Sequence, residues 1–143
     1  MHLLHRWSCP WASSEAAPPP DWRGEYAELA VASYLRAAGC RVLRQRFRYG
    51  RGGEVDLVCR QGDELVFVEV KSTTSAAAGA PARRLDHAKR ELVRRGARRW
   101  LMLLGRPVPY RFDMAEVTLF PARRPVIEYT PRAFTMQEGA THL

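Results

Sequence analysis

Apolar residues recur at helical spacing through Ala27, Ala30, Val31, Tyr34, Leu35 and Ala38, which predicts a first helix over about 22–38, capped by Asp21 and stopped by Gly39. The period then shortens. A strand is expected near 41–48, and two apolar runs over about 54–60 and 64–71 flank Gln61-Gly62-Asp63-Glu64, a hairpin signal. Small residues from Ser72 to Ala82 predict a loop, and helical spacing returns over about 82–97. Trp100 to Leu104 and Tyr110 to Leu119 read as buried strands, and Val126 to Tyr129 is a candidate for a further edge strand outside the counted order. The resulting order, α-β-β-β-α-β-β, places the second helix as a crossover between two parallel apolar strands. It predicts an α/β fold with a mixed β-sheet flanked by helices. Residues 1–20 end in Ala16-Ala17-Pro18-Pro19-Pro20 and follow neither period. They are expected to be a disordered N-terminal extension, with 21–130 as one domain and 131–143 as a C-terminal tail. Trp7 and Trp11 give the extension a candidate docking role.

With Gly62-Asp63 as a two-residue turn, Asp56 faces Glu69 and Glu54 faces Lys71. Strand alternation then puts all four on one face at one end of the hairpin, and makes Val55, Leu57, Cys59, Val66, Val68 and Val70 the core face. Like charges directly opposite on a sheet are unfavourable, so Asp56 beside Glu69 calls for a proton or a cation. Hard carboxylate oxygens suit Mg²⁺, held by one or two carboxylates together with substrate phosphates. Lys71 would lie near such an ion, able to orient a water or offset charge developing on a phosphoryl oxygen. The plainer alternative is a solvated polar end of a hairpin, with Lys71 salt-bridged to a carboxylate.

On the second helix, Leu85, Ala88, Leu92, Val93, Gly96 and Trp100 share one face, and Arg83, Arg84, Arg90, Arg94, Arg95, Arg98 and Arg99 fill the remainder. Composition sharpens this reading. The net charge is +8, and residues 72–110 carry nine basic against two acidic residues, whereas the segments on either side nearly balance. Such a localised basic stripe is the footprint of a protein that approaches phosphates, so Arg83, Arg84, Lys89, Arg90, Arg94, Arg95 and Arg98 are candidate nucleic-acid contacts. Only Lys71 and Lys89 are lysines among 23 basic residues, in a chain otherwise given to Arg, and each invites a chemical explanation. Lys89 falls on the sheet-facing stripe and is expected to point toward the carboxylates.

No apolar run reaches the ~18–20 residues of a membrane span, and Leu3-Leu4 is too short for a signal-peptide core, so a cytoplasmic location without a membrane partner is expected. Cys9, Cys40 and Cys59 form no CxxC and stand at no metal-ligand spacing to the four histidines, so they are expected to be inert buried thiols.

The segments Gly52-Gly53-Glu54-Val55-Asp56-Leu57-Val58 and Leu65-Val66-Phe67-Val68-Glu69-Val70-Lys71 resemble the YraN-like family of uncharacterised bacterial proteins. That family is itself similar to the restriction-endonuclease-like PD-(D/E)xK nucleases, archaeal Holliday junction resolvases among them. The resemblance extends over about 24–118, with Gly79, Lys89 and Arg111-Phe112-Asp113 at compatible positions. It implies a restriction-endonuclease-like sheet, Asp56 and Glu69 as ligands of Mg²⁺ or Mn²⁺, and Lys71 as the catalytic lysine. Glu54 matches a family motif position. The spacing of Gly24, Glu28 and Tyr34-Leu35 matches the family's first helix and makes Glu28 an auxiliary metal or site carboxylate. Glu25 is left as a solvated first-turn residue.

The function expected from these readings is metal-dependent hydrolysis of phosphodiester bonds in DNA, branched or structured forms included. Symmetric cutting of two strands would favour a homodimer. Two alternatives stay open: a nuclease-fold nucleic-acid-binding module with weak or lost catalysis, and an interaction protein whose basic helix meets an acidic partner.

Overall fold

The computed structural model describes residues 20–74 and 87–137. Its elements are α1 (Pro20–Ala37), β1 (Arg41–Tyr49), β2 (Gly53–Gln61), β3 (Glu64–Thr74), α2 (His87–Leu104), β4 (Tyr110–Leu119) and β5 (Val126–Phe134). The five strands form one sheet in sequence order, antiparallel except for the β3–β4 pair, which is parallel. This is the expected order and architecture. Residues 1–19, 75–86 and 138–143 lie outside the described residues, and with them nearly all of the N-terminal extension, Trp7, Trp11, Cys9, Gly79, Arg83, Arg84, Leu85 and the end of the expected C-terminal tail. Among the described residues no helix is long and apolar enough to cross a membrane.

The strand expected at Trp100–Leu104 is instead the last turn of α2. Leu, Met, Ala and Arg are strong helix formers that carry α2 on past Gly96, and Gly105, with a φ of 73° and an N–H bond to the Leu101 carbonyl, closes the helix. Met102 and Leu103 are consequently 67% and 60% exposed rather than buried in a sheet. The parallel partner of β3 is therefore β4, and β5 supplies the final strand. β5 also runs past the expected domain boundary at 130. The Thr135 carbonyl beyond it accepts a hydrogen bond from Arg94 Nε at 2.8 Å, and Met136 packs on the core. α1 ends as expected: Gly39 adopts φ 90° and Cys40 N–H bonds back to the Leu35 carbonyl.

The core has two halves. Tyr26, Ala27, Val31, Ala32 and Leu35 of α1 pack with Leu57, Cys59, Val66, Val68, Ala115 and Val117, whereas Val93 and Ala97 of α2 pack with Val55, Val58, Leu65, Phe67 and Phe112. Val66 and Val68 alternate with Leu65 and Phe67 along β3, so the two halves lie on opposite faces of the sheet. The hairpin thus has two core faces, not one, and its polar residues gather at its two ends. Cys40 and Cys59 are buried free thiols, and burial pushes Cys59 up to about 12.

A buried polar network ties the turn end of the hairpin to β4 and β5. Asp113 is fully buried and accepts from the Tyr129 hydroxyl, from Arg132 N–H at 2.9 Å and from Arg111 Nε at 3.1 Å. Arg111 also donates to Glu64 at 2.6 Å and to Gln61 at 2.8 Å. Arg132 reaches this position through a left-handed φ of 52° at the point where the β4–β5 register shifts.

Candidate functional site

The expected register holds from Gln61↔Glu64 to Leu57↔Val68, where the recorded ladder stops. Beyond that point Val70 N–H donates to Asp56 Oδ2 at 2.9 Å, so the carboxylate stands in for a backbone acceptor and fills the gap between β2 and β3. β2 also changes sides here. Leu57 packs under α1 but Val55, two residues earlier, packs under α2, although a regular strand would keep them on one face. On the neighbouring strand, Arg46 sits between the pairs Gln45↔Leu57 and Phe47↔Val55 with φ 51°. This irregularity aims Asp56 into the split end of the hairpin and corrects the single-face arrangement expected from strict alternation.

Asp56 and Glu69 are both buried, and Asp56 is near enough for its charge to act on the Glu69 carboxyl. Burial and then the Asp56 charge push Glu69 up to about 9, with Lys89 opposing. Glu69 Oε2 is buried without a hydrogen-bond partner. Two close carboxyls with an unsatisfied inward oxygen suit a hard cation, and Asp56 and Glu69 are the residues that could hold one.

Lys89, from the first turn of α2, extends its amine to 3.3 Å from Glu69 Oε1 and 3.6 Å from Glu54 Oε1. Burial draws this amine down, but Glu69, Asp56 and Glu54 together hold it above its ordinary value. Glu54 is therefore held by Lys89 and by Arg48 Nη2 at 3.2 Å. Lys71 is half-buried, follows Glu69 on the same face of β3, and stands in register with Glu116 of β4.

Glycines set how closely α2 approaches this corner. A Cβ on Gly53 would lie 3.2 Å from Gly96 Cα, and one on Gly96 would lie 2.8 Å from Val55 Cγ2 and 3.0 Å from Glu54 N. Only side-chain-free residues allow the start of β2 to rest on the helix and bring Glu54 within reach of Lys89.

Glu28 is near enough for the Asp56 charge to act on it, and burial raises its carboxyl, but Arg46 Nε binds its Oε2 at 2.8 Å. Among the described residues no three His, Cys, Asp or Glu side chains are grouped to hold a metal, so Glu28 does not complete a three-ligand set with Asp56 and Glu69.

The basic stripe divides. Arg95 and Arg98 are exposed, each paired to Glu91, with Arg95 also lying over Gly52. Arg90 is half-buried over the Phe134 ring. Arg94 departs from the expectation of a solvent-facing contact: it is 2% exposed, stacks on Phe134 and binds the Thr135 carbonyl. The helix turns it toward the end of β5, where it serves packing. Sequence reasoning missed Arg46 and Arg48, which bring positive charge to the carboxylates from the opposite side. The alternation Arg44, Arg46, Arg48 was the available signal, hidden because the charges of residues 21–71 nearly cancel.

The chain matches the model of the uncharacterised protein family UPF0102 over residues 27–117. It is 39% identical over 108 residues to a UPF0102 protein of Streptomyces coelicolor, covering 74% of this chain and 83% of the relative. Identity is 41% over 95 residues to one from Symbiobacterium thermophilum (66% and 80%) and 41% over 112 residues to one from Anaeromyxobacter dehalogenans (78% and 82%). The matched segment contains Glu28, Glu54, Asp56, Glu69, Lys71 and Lys89, so the split hairpin and the helix that closes it both fall within what this chain shares with the group. On that extent of similarity the chain belongs to the UPF0102 family of YraN-like proteins.

Proposed function

We propose that the chain is a metal-dependent nuclease that hydrolyses phosphodiester bonds in DNA, branched or structured DNA included. The observation that carries this reading is the pair of neighbouring buried carboxyls, Asp56 and Glu69, with an unpartnered buried oxygen on Glu69 and basic side chains nearby. Asp56 and Glu69 would hold Mg²⁺ or Mn²⁺. A divalent cation supplies charge to the phosphoryl oxygen and makes a nearby water more acidic. Val70 N–H fixes the Asp56 carboxylate, so the pair is set in place before substrate arrives. Lys71 contributes fixed positive charge on the Glu69 face of β3 and helps orient the attacking water. Glu28 and Glu54 support the site by fixing Arg46, Arg48 and Lys89 around it. Arg95 and Arg98 meet the phosphate backbone, with Arg90 beside them and Arg83 and Arg84 as candidate contacts from the segment before α2.

The test is cleavage of labelled single-stranded, duplex, flap and four-way-junction DNA with Mg²⁺ or Mn²⁺ by the wild type and by Asp56→Ala and Lys71→Ala. Metal-dependent products absent from both variants are expected. Equal products from all three proteins, or none from any, would overturn the hydrolytic reading. A second reading, a DNA-binding module without catalysis, draws on Lys89 occupying Oε1 of both glutamates and on the absence of a three-ligand group among the described residues. It predicts salt-dependent binding with no cleavage.

A further inference from the structure

We propose that Lys89 is a resident counter-ion, paired with Glu54 and seated on the Glu69 carboxyl, that a divalent cation must displace, so that cation and nucleic-acid phosphate bind cooperatively. The inference rests on the reading of Asp56 and Glu69 as a cation site. Glu69 is 3% exposed at its side chain, its Oε1 is taken by the Lys89 amine at 3.3 Å, and its Oε2 has no partner. The same amine lies 3.6 Å from Glu54 Oε1. A divalent ion seated on Glu69 would share a few ångströms of poorly solvated space with a full positive charge, so ammonium and ion compete for one carboxylate. Lys is suited to this exchange: its charge sits at the end of a flexible four-carbon stem, and its side chain is 31% exposed, so the amine can swing outward.

Once displaced, the amine needs a new acceptor, and a phosphate at the mouth of the site supplies one. Cation binding is then weak without nucleic acid and strengthened by it, and by linkage the cation strengthens nucleic-acid binding by the same factor. The device keeps the site closed by its own lysine until both ligands are present.

The test is Mn²⁺ titration followed by electron paramagnetic resonance at pH 8, on the full chain and on Lys89→Met and Lys89→Arg, with folding of each checked by circular dichroism. Lys89→Met keeps the apolar stem and removes the charge, so it is expected to bind Mn²⁺ about tenfold more tightly than wild type. Lys89→Arg keeps the charge and is expected to stay within about twofold of wild type. In fluorescence anisotropy with a labelled duplex and Ca²⁺, wild type is expected to gain duplex affinity on adding the cation, and Lys89→Met to lose most of that gain. A purely structural role would weaken Mn²⁺ binding in both variants. Wild-type Mn²⁺ binding that Lys89→Met leaves equal or weaker would overturn the counter-ion assignment alone. No Mn²⁺ binding by any of the three would remove the cation site and this inference with it.

Discussion

Glu69 makes the stability of the cation-free protein fall as pH rises, and Glu69→Gln isolates that effect. In the fold its carboxyl holds its proton up to about 9, against 4.5 in an unfolded chain. Between those values the native state keeps a proton that the unfolded state has released, so unfolding becomes easier with each increment of pH. The slope limit is about 1.4 kcal/mol per pH unit, which gives ~4 kcal/mol between pH 5 and pH 8; side-chain relaxation and water entry reduce this to about 2–4 kcal/mol. Gln has nearly the same size and no charge, and Lys89 keeps Glu54 as a partner. The variant should therefore match wild type within about 0.5 kcal/mol at pH 5 and exceed it by about 2–4 kcal/mol at pH 8. Urea unfolding with EDTA at unit pH intervals measures the difference directly, provided the slope with denaturant is unchanged. Adding Mn²⁺ at pH 8 should stabilise wild type and leave Glu69→Gln nearly unaffected, because only the ionised carboxylate gains from the ion. Parallel stability curves for the two proteins across this range would refute the coupling of Glu69 to Asp56 and burial.

Other expectations address the scaffold and the basic face. Asp113→Ala leaves Arg111 and Tyr129 without their buried acceptor and should cost about 3–5 kcal/mol in denaturant unfolding. Gly96→Ala forces a methyl to 2.8 Å from Val55 and 3.0 Å from the Glu54 backbone, so it should cost about 1–3 kcal/mol and shift α2 away from Glu54. A stable variant with wild-type Mn²⁺ binding would show that the close approach is unnecessary. Arg95→Ala and Arg98→Ala should each lower the salt slope of DNA binding by up to about 0.9 without changing the unfolding midpoint, whereas Arg94→Ala should lower the midpoint and spare the slope. Identical behaviour of the three would contradict the division of the stripe into packing and contact residues.

The sequence made the fold legible wherever one local rule acted alone. The hairpin register follows from Gly62-Asp63, whose turn fixes every pair up to Leu57↔Val68, and Gly39 ends α1 as its freedom at positive φ suggests. It misled where two rules compete for the same residues. Trp100–Leu104 is apolar enough for a buried strand and composed of helix formers, and the decision falls to Gly105, a stop signal that lies beyond the run itself. Arg94 lies on the polar side of an isolated helical wheel, yet the end of β5 packs over that side and buries it.

The site shows the same limit more sharply. Strict alternation brings Asp56 and Glu69 together but assigns Val55 and Leu57 to one face, whereas β2 switches faces at Asp56, beside the left-handed Arg46 of β1. That switch is a property of three strands at once, and no window along one of them reports it. Its consequence is chemical: where the ladder stops, a backbone N–H is left over, and Asp56 takes it. The Asp56 carboxylate is thereby held beside Glu69, and two carboxyls that would be unfavourable neighbours if both were ionised are kept together where the hairpin opens, with Glu69 keeping its proton. The two lysines were the better guide, because a chain that writes nearly every cation as Arg has placed Lys89 where a compact charge on a flexible stem must fit between Glu54 and Glu69.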